Sequence, residues 1–302
     1  GQPVSMAYYR KDEMAFFEMA SLVGLGSIPA EKRNPLELET RGIGELILQL
    51  VDQGVKTICV GIGGSATNDG GIGMAAGLGV AFYDEQGHLL RPVGASLGRV
   101  ARIDTSAVPK AIQDIELQVL TDVTNPLCGS QGATYIFGGQ KGLNPLLFPA
   151  VDQAMQDFYQ LADARILSMP GAGAGGGMAA GLVAFAGGQI SSGIEKSLDL
   201  IDFDHKVQKA DLVVVGEGRM DLQSLSGKAP VGVAKRTPEK IPVLAICGSL
   251  AEDLPAFPSH HIDAAFSIVK GPCEVADALA HAERNLISCA RNIGNLLKIK
   301  AN

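Results

Sequence analysis

The 302-residue sequence contains no tryptophan and only five cysteines, none of which belongs to a Cys-x-x-Cys pair. An odd number of widely spaced cysteines excludes the framework of a disulfide-rich domain and that of a zinc ribbon. The five histidines show no metal-binding spacing either. We therefore expect a cytoplasmic protein, since the cytosol keeps thiols reduced.

Positive charge is also scarce, with 25 Lys and Arg against 32 Asp and Glu, a net charge of −7. A chain without a basic surplus is a poor match for the phosphates of a nucleic acid, so we expect no such partner. The uncharged stretch 168–194 is long enough to cross a bilayer. It holds eight glycines between Met169 and Ile190, however, and is too weakly apolar for a membrane partner to be expected.

Glycine is abundant, at 38 of 302 residues, and apolar runs of strand length alternate with amphipathic stretches of helix length. This alternation predicts an α/β fold with a mostly parallel sheet, in one large domain or two smaller ones. The predicted strands are 55–60, 80–83, 115–120, 212–215, 243–247 and 264–269, with an edge strand at 133–137. The predicted helices are 36–51, 72–79, 144–163, 171–186 and 272–298.

Three of the predicted strands end in polar, glycine-rich segments, at 61–71, 122–126 and 216–221. Ligand sites of parallel sheets lie at the carboxyl ends of the strands, so neighbouring strands would bring these segments to one crevice. Carboxylates beside an arginine suit a site for Mg²⁺–nucleotide and phosphoryl transfer. The charged residues concerned are Asp69, Asp122, Glu217, Arg219 and Asp221.

Two glycine motifs leave alternatives open. Residues 61–66 with Asp84 nearly fit a dinucleotide fingerprint, although the polar continuation 65–69 is unusual for one, so an NAD-dependent 2-hydroxy acid dehydrogenase remains an alternative. The run 171–177 either cradles phosphates or allows tight helix packing.

Lys141 and Lys228 are candidate anion contacts, whereas a Walker loop and a Gly-x-Ser-x-Gly elbow are absent.

Five motifs, in order along the chain, resemble the bacterial type-1 glycerate kinase family; a further short match is CGSL at 247–250. The resemblance implies ATP-dependent phosphorylation of D-glycerate, on the 2-hydroxyl to give 2-phosphoglycerate, although the motifs leave the choice between the 2- and 3-hydroxyl open. It implies two α/β domains, one Rossmann-like with a mostly parallel sheet and one of mixed sheet, with the active site in the cleft between them. The five motifs are GIGGSATNDGGIGMAAGLG (61–79), DVTNPLCG (122–129), FGGQKG (137–142), PGAGAGGGMAAGL (170–182) and VVVGEGRMDLQSLSGKAPVGVA (213–234).

On this basis we expect residues 36–125 and 205–302 to form the Rossmann-like domain, and residues 1–35 and 126–204 to form the second. Arg219 and Lys228 would neutralise the transferring phosphoryl group or hold the glycerate carboxylate, and Asp122 is favoured as the acceptor of the hydroxyl proton. The oligomeric state stays open. The predicted catalytic residues are Asp122, Arg219, Asp221 and Lys228; the ATP contacts are Gly63, Gly64, Ser65, Asn68, Gly173, Gly175 and Glu217; the Mg²⁺ contacts are Asp69, Asp122 and Glu217.

The family pattern begins with a further segment that carries an Asp-Ser-Phe-Lys-like motif and an Ala-Asp-Gly-Gly-Glu-Gly motif. Neither motif occurs in this sequence. A second expectation is therefore kept beside the kinase, namely a nucleotide- or acid-binding protein that lacks catalysis. Binding of ATP or glycerate without ADP release would distinguish it.

Overall fold

A computed structural model describes residues 4–225 and 228–299. The strands are β1 (Tyr9–Lys11), β2 (Met14–Glu18), β3 (Thr57–Gly61), β4 (Ala81–Tyr83), β5 (Arg102–Asp104), β6 (Glu116–Leu120), β7 (Gln189–Ser191), β8 (Val213–Met220), β9 (Val243–Leu250) and β10 (Ala264–Ser267). The α-helices are α1 (Ala20–Val23), α2 (Arg41–Asp52), α3 (Ile72–Gly77), α4 (Ala133–Phe137), α5 (Phe148–Ala162), α6 (Ala174–Ala186), α7 (Gly193–Leu200), α8 (Phe203–Val207), α9 (Leu222–Leu225), α10 (Ala229–Arg236), α11 (Val275–Ala280) and α12 (Ala282–Ile299). Short 3₁₀ helices occupy Leu25–Ser27, Ala30–Lys32, Gly94–Arg99, Lys110–Asp114, Gly139–Lys141, Pro145–Leu147 and Ala164–Ser168.

The chain forms two compact units, Gly1–Gly193 and Ile194–Asn302. The first contains a five-stranded sheet in the order β1-β2-β3-β6-β7, in which only the β1–β2 pair is antiparallel. Strand β3 lies at its centre, and Ile58, Cys59 and Val60 are fully buried. A run of β-branched and apolar residues suits such a strand because side chains on both of its faces are buried.

Helix α2 packs against α3, and its residues Ile43, Ile47 and Leu50, which repeat at helical spacing, are fully buried in the core of this unit. The helix ends at Asp52, and Gly54 follows with a φ of 82°. A glycine in the left-handed region stops a helix at little energetic cost, which agrees with the predicted helix end. Strands β4 and β5 form a separate antiparallel ribbon in this unit.

The second unit contains a three-stranded, wholly parallel sheet in the order β10-β9-β8. Its core is formed by Val215, Val231, Ala245 and Cys247, which are buried between the sheet and helix α10. The predicted α/β class with a mostly parallel sheet is thus confirmed. None of the helices in the part of the chain described is long and apolar enough to span a membrane.

The two compact units differ from the predicted domains. Strands β3 and β6 hydrogen-bond in one sheet with β2 and β7, which the sequence analysis assigned to the other domain. Hydrogen bonds between strands that are far apart in sequence decide which strands share a sheet. The local sequence pattern does not predict these partners. The predicted edge strand at 133–137 is wrong, since these residues form helix α4.

Candidate active site

The glycine-rich turn 61–71 follows β3 at the carboxyl edge of the first sheet. Gly61 lies opposite Glu18 in the β2–β3 register, and a side chain at position 61 would clash with the Glu18 carboxylate. Partial burial raises the pKa of Glu18. This carboxylate at the strand edge was not predicted from the sequence.

Gly63 and Gly64 are exposed at the tip of the turn, as a contact with a nucleotide phosphate requires. Ser65 is buried, and its hydroxyl accepts a hydrogen bond of 2.9 Å from Lys141 Nζ. The Ser65 side chain therefore already has a partner within the protein. Of these three predicted ATP contacts, only the two glycines present their backbone to solvent.

Lys141 is only 3% exposed, and its amine also donates to the carbonyl oxygen of Thr67 at 2.7 Å. Burial lowers the pKa of Lys141 to about 8, although the nearby Asp69 carboxylate acts in the opposite direction. The amine holds two points of the glycine-rich turn. The prediction that Lys141 contacts an external anion is therefore not supported by its environment.

Asp69 is fully buried, so it is not placed to bind a metal ion from solvent. Its carboxylate accepts hydrogen bonds from Thr40 Oγ1 at 2.6 Å and from the N–H groups of Gly71 and Gly73 at 3.1 and 3.4 Å. Burial raises the pKa of Asp69, while these hydrogen bonds lower it. Its contacts join the turn to the start of α3, a structural role that replaces the predicted Mg²⁺ contact.

Asn68, another predicted ATP contact, is also fully buried. Its Nδ2 donates to Thr134 Oγ1 at 3.0 Å, and within the described residues its Oδ1 has no hydrogen-bond partner. The side chain thus links the turn to helix α4. A direct contact with a nucleotide would require a movement of the turn.

The run 171–177 packs against the same turn. Three consecutive glycines, 175–177, have φ angles of 68°, 75° and 86°, and a side chain at Gly176 would clash with the carbonyl of Thr67. The N–H of Gly173, a predicted ATP contact, donates to the carbonyl of Asn125 at 3.1 Å. Of the two interpretations left open, these contacts favour tight packing over a phosphate cradle, and only the half-buried Gly175 keeps partial access to solvent.

In the second unit, the carboxyl end of β8 brings together Glu217, Asp221, Ser224 and Lys228. Ser224 Oγ donates to Glu217 Oε2 at 2.9 Å, and Lys228 Nζ lies 4.0 Å from Asp221 Oδ1. Burial raises the pKa of Glu217, whereas the backbone N–H of Ser224 lowers the pKa of Asp221. Two carboxylates with pKa values shifted in opposite directions are typical of acid–base sites. Two residues of the 213–234 motif, 226 and 227, lie outside the described residues.

Arg219 belongs to the same strand end and is exposed. Among the described residues its guanidinium makes no hydrogen bond or ion pair. An unengaged guanidinium is suited to bidentate contact with a carboxylate or a phosphoryl group.

Asp122 follows β6 in the first unit, where it is exposed and accepts a hydrogen bond of 3.2 Å from the Ser192 hydroxyl. The strands that carry the three polar segments are not all neighbours, because β3 and β6 pair with each other while β8 belongs to the other sheet. The described residues contain no group of three or more His, Cys, Asp and Glu side chains placed to hold a metal ion.

Comparison with known proteins decides the family. Residues 1–298 match the model of the glycerate kinase family. The chain belongs to the glycerate kinase family.

Named relatives agree with this family assignment. A glycerate kinase of Neisseria meningitidis is 56% identical over 99% of this chain and 81% of its own length. The glycerate 2-kinase of Escherichia coli is 41% identical over 94% of this chain and 76% of its own length. A crystal structure assigned to glycerate kinase 2 from Salmonella typhimurium LT2 superposes with a TM-score of 0.76 at 40% identity, over 96% of this chain and 77% of that one. The predicted family and the predicted class of enzyme, a kinase, are confirmed.

In this glycerate kinase family member, Asp84 does not occupy the position that a dinucleotide site requires. Its carboxylate accepts hydrogen bonds from the N–H groups of Gln86 and His88 and closes a turn after β4. Strand β4 belongs to the antiparallel ribbon and not to the parallel sheet. Asp84 therefore does not lie at the end of a neighbouring parallel strand, the position that the dehydrogenase alternative requires of it.

Sequence reasoning missed Glu18, Thr40 and Ser224. The Asp221-x-x-Ser224 spacing resembles a capping box, and Thr40 directly precedes a helix, so both could have been found from helix-start signals. Glu18 carries no such signal. Only the pairing of β2 with β3 brings it to the glycine-rich turn.

Proposed function

We propose that the protein transfers the γ-phosphoryl group of Mg²⁺–ATP to the 2-hydroxyl of D-glycerate, forming 2-phosphoglycerate and ADP. Membership of the glycerate kinase family supports the reaction class and the substrate. The name of the Escherichia coli relative, glycerate 2-kinase, supports the choice of hydroxyl group.

The observation that carries the proposal is the charge arrangement at the end of β8. The exposed Arg219 and the half-exposed Lys228 offer positive charge to an anionic acid and to a phosphoryl group, while Glu217 and Asp221 lie near Lys228. Phosphoryl transfer depends chiefly on positioning and charge neutralisation, so a site of this composition suits it. We assign the glycerate carboxylate to Arg219 and the transferring phosphoryl group to Lys228.

For the nucleotide, we propose that the exposed backbone of Gly63 and Gly64 contacts the phosphates, with Gly175 beside them. Exposed glycines at the end of a parallel strand fit this group because backbone N–H groups can approach an anion closely. Ser65 and Asn68 support the shape of the turn from within, whereas Gly173 is bonded to Asn125 in the segment that follows β6.

For Mg²⁺, the exposed carboxylate of Asp122 is the predicted contact that faces solvent, whereas the predicted contact Glu217 is only partly exposed. Mg²⁺ is commonly bound by one or two carboxylates together with substrate phosphates, and it neutralises the charge that develops on them. The exposed carboxylate of Asp122 fits this ion, whereas the carboxylate of Asp69 is buried and its oxygens already accept hydrogen bonds within the protein.

The acceptor hydroxyl must lose its proton as its oxygen bonds to the γ-phosphorus and as the bond from that phosphorus to the β,γ-bridging oxygen breaks. Asp122, the proton acceptor predicted from the sequence, follows a strand end, where a carboxylate is held rigidly. Glu217 has the same kind of position and a raised pKa, which makes it the stronger base. Turnover of Asp122→Asn that returns at high Mg²⁺ concentration, together with a loss in Glu217→Gln that Mg²⁺ does not reverse, would assign the ion to Asp122 and the proton to Glu217; the reverse pattern would favour Asp122 as the base.

The test is ADP release from Mg²⁺–ATP with D-glycerate, followed by ³¹P NMR of the product. We expect turnover that requires D-glycerate and a product resonance that matches 2-phosphoglycerate. A 3-phosphoglycerate resonance would contradict the choice of hydroxyl. ATP or glycerate binding without ADP release would instead favour the non-catalytic alternative.

We propose a cytoplasmic location, in agreement with the cysteine pattern. All five cysteines lie in the described part of the chain, and none of them forms a disulfide. Fractionation of cells that express the protein, with a known cytosolic marker, tests this location.

A further inference from the structure

Ser224 is a polar residue that the reaction described above does not use. It lies in the four-residue helix α9, directly after β8, and its side chain is fully buried. A buried hydroxyl must find partners within the protein, and those of Ser224 are the two carboxylates of this strand end.

The contacts define the direction in which the hydroxyl donates. Ser224 Oγ accepts a hydrogen bond of 3.2 Å from the Asp221 N–H, and the Ser224 N–H donates to Asp221 Oδ1 at 3.0 Å. The hydroxyl has a single proton, and the nearest acceptor is Glu217 Oε2 at 2.9 Å, closer than Asp221 Oδ1 at 3.3 Å or the Arg219 carbonyl at 3.5 Å. The proton is therefore directed to Glu217.

The other oxygen of this carboxylate has no partner. Glu217 Oε1 is buried, and within the described residues no donor reaches it. Leaving a buried carboxylate oxygen unsatisfied is energetically unfavourable, and such atoms in native structures often belong to functional sites. With Oε2 held by Ser224, Oε1 is left for a donor that arrives with the substrate; because Oε1 is covered, this contact requires a movement of the residues around it, as it would at Asn68.

We propose that Ser224 is a positioning residue, which holds the Glu217 carboxylate so that Oε1 takes the proton of the glycerate 2-hydroxyl. The inference rests on the proposed function. The proton moves from the hydroxyl to Oε1, the freed oxygen bonds to the γ-phosphorus of the nucleoside triphosphate, and the diphosphate leaves with the electron pair of the broken P–O bond.

Other charged or titratable groups face Glu217. Asp221 and Lys228 follow β8, and the Cys247 thiol lies opposite on the paired strand β9. None of them forms a hydrogen bond with Oε1. The geometry therefore assigns the orientation of Glu217 to Ser224 alone among the described side chains.

A double-mutant cycle tests the proposal, with Ser224→Ala, Glu217→Gln and the double variant assayed for kcat and KM. If Ser224 acts through Glu217, Ser224→Ala lowers kcat about 10- to 100-fold with little change in KM, and Glu217→Gln lowers it about 100- to 10,000-fold. The double variant should be no slower than Glu217→Gln alone. Ser224→Thr, which keeps the hydroxyl, should restore most of the activity.

Equal kcat losses from Ser224→Ala in the wild-type and Glu217→Gln backgrounds would overturn the proposal, because Ser224 would then act independently, for instance as a cap of α9. A change in KM alone would overturn it too. If Ser224→Ala does not fold, the nearly isosteric Ser224→Cys, a weak donor, gives the same comparison.

Wild-type protein assayed in parallel distinguishes a failure of the proposed function from a failure of the role assigned to Ser224. Absence of ADP release by the wild type would refute the proposed function and this inference together. Normal turnover by wild type and by Ser224→Ala would refute the inference alone. Ser168→Ala, which removes an exposed hydroxyl bonded to the carbonyl of Arg165, is the matched control and should keep full activity.

Discussion

Thr40 and Asp69 are joined by a hydrogen bond of 2.6 Å between the threonine hydroxyl and the carboxylate, and both side chains are buried. The same hydroxyl accepts a hydrogen bond of 2.9 Å from the N–H of Met74. One threonine thus connects the start of α2 to the start of α3. The glycine-rich turn between β3 and α3 is held from inside by this pair.

Replacing Thr40 by valine should destabilise the fold by roughly 2 kcal/mol or more, because the change leaves the buried Met74 N–H without this partner and leaves Asp69 Oδ2 with only the long hydrogen bond of 3.4 Å from Gly73. Urea denaturation measures the free energy of unfolding. The matched control is Thr57→Val, since the Thr57 hydroxyl also contacts a carboxylate, that of Glu116, at an exposed position. It should change stability by less than about 0.5 kcal/mol. Equal effects of the two substitutions would contradict the role assigned to Thr40.

The buried Lys141 predicts a dependence of stability on alkaline pH. Its pKa is lowered to about 8 in the folded protein, so between pH 8 and the ordinary value of 10.5 the unfolded chain binds more protons at this residue. The free energy of unfolding should therefore rise with pH, by about 2 kcal/mol between pH 8 and pH 10 from this residue alone.

The control for this prediction is Lys141→Met, which removes the titrating amine. Burial of Cys128 raises its pKa to about 12 and acts with the opposite sign over the same range. It is common to both proteins, so the difference between wild type and variant isolates Lys141. Parallel stability curves for the two proteins from pH 8 to pH 10 would show that Lys141 does not titrate in this range.

The packing of the glycine run can be tested by Gly176→Ala. Gly176 has a φ of 75° and a carbonyl oxygen of the turn at the place of a β-carbon, so alanine there meets both backbone strain and a clash. Gly87 has a comparable φ of 82° and open space at that place. We expect Gly87→Ala to cost about 1 kcal/mol and Gly176→Ala at least about 3 kcal/mol, as measured by thermal denaturation. A Gly176→Ala variant as stable as Gly87→Ala, with impaired ATP binding, would favour the phosphate cradle instead.

Arg219→Ala should lower kcat/KM for D-glycerate about 100-fold or more, because a bidentate contact with the substrate carboxylate would be lost. The melting temperature should stay unchanged, since Arg219 is exposed. Steady-state kinetics with D-glycerate varied at saturating ATP measures the effect. An unaltered kcat/KM would remove Arg219 from the site, and partial activity in Arg219→Lys would indicate that charge alone supplies part of the contact.

Much of the fold could be predicted from local pattern. The apolar runs before 61, 121 and 216 form β3, β6 and β8, and the helix stop at Gly54 is where the sequence predicts it. The assignment of strands to sheets could not be predicted, because hydrogen-bond partners lie far apart in sequence and several arrangements satisfy the same apolar pattern.

The glycine motifs and the βα alternation of the sequence by themselves determined the α/β class, the family and the strand ends where polar residues gather. Burial was decided only by the tertiary structure. Asp69 follows β3 and Glu217 lies near the end of β8, but the first is fully buried and bonded to Thr40 and to the start of α3, while the second keeps an oxygen without a partner in the neighbourhood of Lys228. Neighbours brought from distant parts of the chain set the solvation of each carboxylate, and solvation determines whether it supports the fold or remains available for chemistry.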